Sequence, residues 1–184
     1  MTFANEGEKI MMKKLFNFSL LMILSSAVFS QQNNTEITSK NSWLKAGFMA
    51  GIPVGNLSDI SSLTLGLDIK GQFMLNPHFG LGLTTGYNHF FPKEDYKSIG
   101  LLPVGAMFRY YPQRRGFFAG SDAGYTFLTG ANDADGGFYI RPQLGFHNHD
   151  FNFFGYYNHV LRSDDNGGSV QHAGIGATYN IRFK

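Results

Sequence analysis

The histidines are the first residues here that could do chemistry. His147-Asn148-His149-Asp150 gathers two imidazoles and a carboxylate, donor types that bind zinc, but it offers a single H-x-H pair with no third ligand in register. A polar turn is the expected reading, with no metal. Asn132-Asp133-Ala134-Asp135-Gly136 has the spacing that opens a calcium loop. Counted from Asp133, however, the next ligand position holds Gly137 and the distal glutamate position holds Leu144, which leaves a hairpin loop. His159 would serve as a general base only if a hydroxyl lay within hydrogen-bond reach. Leu161 stands two residues on, and Ser163 is four on, roughly 13 Å away along an extended strand. Gly80-Leu81-Gly82 and Gly174-Ile175-Gly176 have no helix behind them to cradle a phosphate. None of these motifs implies a cofactor. What remains is electrostatic: Asp68 and Asp122 stand against Lys70, Arg109, Arg141 and Arg182, and such isolated charges neutralise one another if they are buried together.

The elements that place those charges have a period of two. From Trp43 onward apolar residues recur at every second position, punctuated by Gly, Pro, Asn and Asp. In one run Leu63, Leu65, Leu67, Ile69, Gly71, Phe73 and Leu75 share a face, while Thr64, Gly66, Asp68, Lys70 and Gln72 share the other. Eight such runs are expected, at about 43–55, 61–75, 79–91, 98–111, 116–129, 137–147, 151–162 and 168–183. Tight turns follow runs two, four and six; longer, more polar links follow runs one, three, five and seven. That alternation belongs to an up-and-down antiparallel barrel. The runs also match or exceed the roughly 9–11 residues that cross a bilayer at a tilt.

Alternation alone does not say which face is outside. Gly80, Gly82, Gly86, Gly105, Gly120, Gly124, Gly145, Gly174 and Gly176 all fall on the polar face, which suits a crowded narrow interior. The charges on that face are too few for a water-facing coat. Tyr87, Phe91, Phe108, Tyr110, Tyr125, Phe127, Phe138, Phe151 and Tyr157 lie on the apolar face near run ends, where rings meet lipid headgroups. The expected fold is therefore an all-β, eight-stranded transmembrane barrel with Asp68, Lys70, Arg109, Asp122, Arg141 and Arg182 in a lumen filled by side chains.

Composition agrees. Of 184 residues only 15% are charged, against about a quarter in ordinary soluble domains, while 16% are aromatic and 23 are Gly. The absence of cysteine excludes a disulfide scaffold, Cys-ligated metals and a thiol nucleophile. A net charge of +2, with no basic run longer than two, leaves no nucleic-acid footprint. At the N-terminus Lys13-Lys14, the apolar stretch Leu15–Leu24 and the small residues Ser25, Ser26 and Ala27 read as a secretory signal. The expected organisation is a signal over 1–30, with translation starting at Met11 or Met12, a polar segment over 31–42 and the barrel over 43–184.

The signal, the eight alternating runs and the last strand Gly174-Ile175-Gly176-Ala177-Thr178-Tyr179-Asn180-Ile181-Arg182-Phe183 resemble small bacterial outer-membrane β-barrel proteins of the OmpA/OmpX type. Ala50-Gly51-Ile52-Pro53-Val54-Gly55 and the run Leu102–Tyr111 also look like that group. The resemblance implies an integral outer-membrane protein without enzymatic activity, acting in envelope structure or surface interaction. It implies that Tyr179, Ile181 and Phe183 are read by the barrel-assembly machinery; Lys184 follows where the family ends on the aromatic. Its implied partners are outer-membrane lipids, that machinery and an extracellular ligand reached through the outer loops, with the protein a monomer. Tyr157-Asn158-His159 also looks like a strand of the outer-membrane lipid A 3-O-deacylases, eight-stranded barrels with a His–Ser–Glu triad. Leu161 holds the serine position and the last strand has no glutamate, so a lipid-modifying enzyme is an alternative with an incomplete triad. A soluble periplasmic barrel around an apolar ligand is another.

Overall fold

The computed structural model describes residues 42–93, 96–130, 136–148, 150–162 and 168–182, without the side chains of Ser42 and Arg182. Strands β1 (Ser42–Val54), β2 (Ser61–Met74), β3 (Phe79–Pro92), β4 (Ile99–Tyr110), β5 (Gly116–Thr129), β6 (Gly137–His147), β7 (Phe151–Leu161) and β8 (Val170–Arg182) pair each with the next. β8 then pairs with β1 in antiparallel register, Phe48 opposite Ala177, and closes the ring. A closed ring leaves no strand edge unpaired, which hydrocarbon requires.

The short turns are made by side chains that accept backbone donors. After β2, Asn76 Oδ1 accepts from the N–H groups of His78 at 2.8 Å and Phe79 at 3.0 Å. After β6, Asn148 Oδ1 does the same for Asp150 at 2.9 Å and Phe151 at 2.7 Å. An Asn oxygen mimics a backbone carbonyl in this way, so each reversal needs few residues. The link after β1 differs from the expected polar loop. It contains a single helical turn, α1 (Leu57–Ile60), that drops Leu57 into the barrel mouth beside Phe90, Leu101, Val160 and Val170. Lys93, the residue after β3, anchors it, donating from Nζ to the Ser58 carbonyl at 2.7 Å.

The strands alternate as the pattern dictates, apart from an irregularity at the start of β2 that buries Ser61 out of phase with the exposed Leu63. In β2, Leu65, Leu67, Ile69 and Phe73 are exposed on the outside, while Thr64, Asp68, Lys70 and Gln72 are buried inside. The inward glycines let neighbouring strands and rings approach closely. At Gly105 a Cβ would strike the Ala123 carbonyl oxygen and come within 2.7 Å of the Tyr139 hydroxyl, which reaches across β5. Two prolines interrupt the ladders. Pairing of β3 with β4 skips from Thr85–Val104 to Asn88–Leu101 around Pro103, and β6 with β7 skips from Ile140–His159 to Gln143–Tyr156 around Pro142. Proline has no N–H to give, so a gap in the ladder is the expected cost.

Candidate functional site

The lumen carries the densest chemistry, and it begins with two carboxylates. Asp68 on β2 and Asp122 on β5 are fully buried and face each other through cations from three other positions. Arg141 Nη2 lies 2.6 Å from Asp122 Oδ2 and 2.9 Å from Asp68 Oδ1, bridging the two. Lys70 Nζ lies 2.8 Å from Asp68 and 3.1 Å from Asp122. Arg109 Nη2 meets Asp122 Oδ1 at 2.8 Å. Gln143 completes the cluster: its Oε1 accepts from Arg109 at 2.7 Å and Lys70 at 3.3 Å, and its Nε2 donates to Asp122 at 2.9 Å. Met49 Sδ and Thr84 Oγ1 take further guanidinium donors of Arg141, each at 3.4 Å. Isolated burial of any of these charges would be prohibitive; shared burial with hydrogen bonds to most lone pairs is what makes it tolerable.

Five of the six charges singled out in the sequence are thus brought together. Arg182 sits opposite Trp43 in the β1–β8 ladder, and its side chain lies outside the described residues. Lys45 was not among those six. It is buried, donates to Tyr111 Oη at 2.9 Å and Asn152 Oδ1 at 3.3 Å, and lies 5.5 Å from the centres of the Trp43 and Tyr111 rings. The signal was available, because Lys45 shares its phase in β1 with the inward-facing Trp43 and Met49.

Apolar side chains bound the charge cluster on both sides. Toward the short turns lie Trp43, Met74, Tyr111 and Phe118, and toward the longer loops Leu57, Phe90, Leu101, Tyr139, Val160 and Val170. Gly116 and the turn before β5 bring His147 against this inner layer, its Nε2 3.2 Å from the Gln113 carbonyl oxygen and its ring centroid 4.7 Å from that of Tyr111. His147 therefore faces the lumen, while His149 lies outside the described residues. Residues 131–135, which carry the acidic loop, and Ser163 lie outside them too. Among the described residues no group of three His, Cys, Asp or Glu side chains could hold a metal.

On the outer surface aromatic rings form two belts. Phe79, Phe108, Tyr110, Phe151 and Tyr179 mark the short-turn end; Tyr87, Phe91, Tyr125, Phe127, Phe138 and Tyr157 mark the loop end. Tyr179 and Ile181 are exposed on this surface, and Phe183 lies outside the described residues. His159 belongs to the loop-end belt, its ring edge-on to Tyr157 at 6.3 Å. Tyr157 Oη donates to Gln171 Oε1 at 2.7 Å, and Gln171 Nε2 donates to Ser169 Oγ at 2.9 Å. Among the described residues no hydroxyl or carboxylate is hydrogen-bonded to His159.

A barrel with hydrocarbon outside, charges inside and rings at both rims defines a transmembrane β-barrel. Comparison with solved structures agrees on the fold. The chain resembles the outer membrane protein Ail of Yersinia pestis in a phospholipid nanodisc, at 15% identity over 77% of this chain and 99% of that one, with a TM-score of 0.53. It resembles Neisserial surface protein A at 13% identity over 78% of this chain and 97% of that one, with a TM-score of 0.53. The fold is that of the small eight-stranded outer-membrane barrels. No family model matches the sequence, and no curated protein matches it.

Proposed function

We propose that this chain is an integral barrel of the bacterial outer membrane that works without catalysis, in envelope structure or surface interaction. The observation that carries this is the filled lumen: the paired charge cluster and the rings on either side of it are buried, which favours a sealed scaffold over a pore. Residues 1–30 act as an export signal, 31–42 as a polar lead and 43–184 as the barrel. Tyr179, Ile181 and Phe183 serve as the signal for the barrel-assembly machinery. The folded chain is a monomer whose constant partners are membrane lipids, and an extracellular ligand would reach it through the loops after β1, β3, β5 and β7. The incomplete surroundings of His159 favour this reading over a lipid A hydrolase.

Fractionation of expressing cells tests it. The protein is expected to sediment with the outer membrane, to stay there through high-salt and alkaline washes, and to leave the lipid A mass spectrum unchanged. Release into the wash contradicts the integral reading. A lipid A species short of one acyl chain, abolished by His159→Ala, contradicts the non-enzymatic one.

A further inference from the structure

Six side chains in the loop-end half of the lumen bury polar atoms that have no hydrogen-bond partner among the described residues. They are Thr64, Asn88, Thr126, Tyr139, Tyr156 and His172, the last with both ring nitrogens bare. The register gathers them. Thr64 is opposite Gly51, and the Tyr156 hydroxyl hangs over Gly51, 2.7 Å from where a Cβ would stand. The His172 ring is edge-on to Tyr156 at 5.5 Å and to Phe90 of β3 at 5.1 Å. Asn88, two residues before Phe90, holds its Oδ1 over Gly66. On the remaining wall Tyr139 is opposite Gly124, two residues before Thr126, and its hydroxyl hangs over Gly105.

A neutral imidazole has one N–H and one lone pair to satisfy, and each hydroxyl has a proton to give. Leaving all of them bare in a closed interior costs the desolvation of every group. None of the six carries a fixed charge, so an ion gains no counter-charge among them. Water suits them: buried groups of this kind are bridged by ordered molecules that make 2–4 hydrogen bonds each, and roughly two to four such waters serve the set.

The level has an apolar cover. Leu57 of α1 packs with Phe90, Leu101, Tyr139, Val160 and Val170 at the loop-end mouth. The helical turn is only four residues long and follows Gly55, which holds a left-handed φ of 65°. Besides Leu57, two bonds from Lys93 hold it, Nζ to the Ser58 carbonyl at 2.7 Å and the backbone N–H to the Ile60 carbonyl at 2.9 Å. The Nζ bond is exposed, so solvent competes for it and Leu57 is left as the seal.

We propose that the loop-end half of the lumen is an internal water site, hydrogen-bonded by these six side chains, and that α1 is its lid: water enters and leaves past Leu57 and not through the charge cluster. The second clause rests on the sealed-lumen reading above.

Pulsed X-ray radiolysis of the folded barrel in phospholipid vesicles, with rapid mixing into heavy-oxygen water and peptide mass spectrometry, tests both parts. Radiolysis turns a water into a hydroxyl radical that oxidises the side chain beside it, and the isotope added to a tyrosine ring dates that water's entry. Tyr156 and His172 are expected to be oxidised although buried, whereas Met74, buried in the short-turn layer and of a more readily oxidised type, is not. His172→Phe keeps the ring's shape but removes two anchors, and oxidation of Tyr156 falls severalfold. Leu57→Ala speeds entry of the heavy isotope at Tyr156 about tenfold, as part of the lost leucine packing lies on the opening step. Lys93→Ala, which keeps Leu57, speeds it severalfold. Heat-modifiable gel migration establishes that each variant is folded. A wild type unoxidised at Tyr156 and His172 overturns the water site, and unchanged oxidation in His172→Phe overturns that anchor. Entry at the wild-type rate in both Leu57→Ala and Lys93→Ala overturns the lid. Oxidation of Met74 alongside Tyr156 places water beyond the charge cluster, and overturns the sealed-lumen reading and the confinement with it.

Discussion

From the charge cluster toward the short turns, the polar groups inside the barrel hold one another. Lys45 donates to Tyr111, Tyr111 donates to Gln72 at 2.9 Å, and Gln72 donates to Met74 Sδ at 2.9 Å. Asn152 donates to Asn180 at 2.7 Å and to Thr178 at 3.3 Å. Toward the loops, the fill is different. Tyr139 and Tyr156 hydroxyls, both ring nitrogens of His172, Thr64 Oγ1, Thr126 Oγ1 and Asn88 Oδ1 are buried without a hydrogen-bond partner among the described residues. There the contacts are ring on ring: His172 lies edge-on to Phe90 at 5.1 Å and to Tyr156 at 5.5 Å. One half of the lumen is positioned by directed bonds and the other by shape. Removing a group should therefore cost more in the first half, where a deletion strands a bonded polar partner and, in the cluster itself, a charge.

The largest effect is expected from Asp122→Ala, which leaves Lys70, Arg109 and Arg141 with Asp68 as their remaining carboxylate. A loss of about 3–5 kcal/mol in reversible urea unfolding from vesicles is the expected outcome. Next comes Leu67→Arg, which places on the lipid face the same guanidinium that Arg141 holds inside. It should cost roughly 2–4 kcal/mol in the same assay, because nothing outside pairs with it. Gly105→Val, against the Ala123 carbonyl and the Tyr139 ring, should cost about 1–3 kcal/mol by overpacking. His172→Phe should be the mildest, within about 1 kcal/mol of wild type, since it trades a ring of similar shape whose nitrogens have no hydrogen-bond partner among the described residues. If His172→Phe proved as damaging as Asp122→Ala, the contrast between the two halves would be wrong.

Much of this architecture was legible in the sequence because a barrel strand has a rigid period. A residue's parity in β2 or β5 decides whether it meets lipid or lumen, so Asp68, Lys70 and Asp122 could be assigned to the inside without coordinates. The strand bounds came within two residues of those observed. Less legible was anything set by distance around the ring. That Arg141 of β6 bridges Asp68 of β2 depends on barrel diameter and tilt, which the alternation does not encode. Leu57 was equally hidden: a polar link with one leucine reads as a loop, and only the width of the mouth makes that leucine a plug.

Planar-bilayer recording is the most direct test of the claim that the lumen is sealed. With folded wild-type protein inserted, and its presence established by heat-modifiable migration, current should be indistinguishable from that of the bare bilayer. Sustained stepwise conductance from the wild type would mean that water and ions pass the Asp68–Arg141–Asp122 cluster, and would contradict the account.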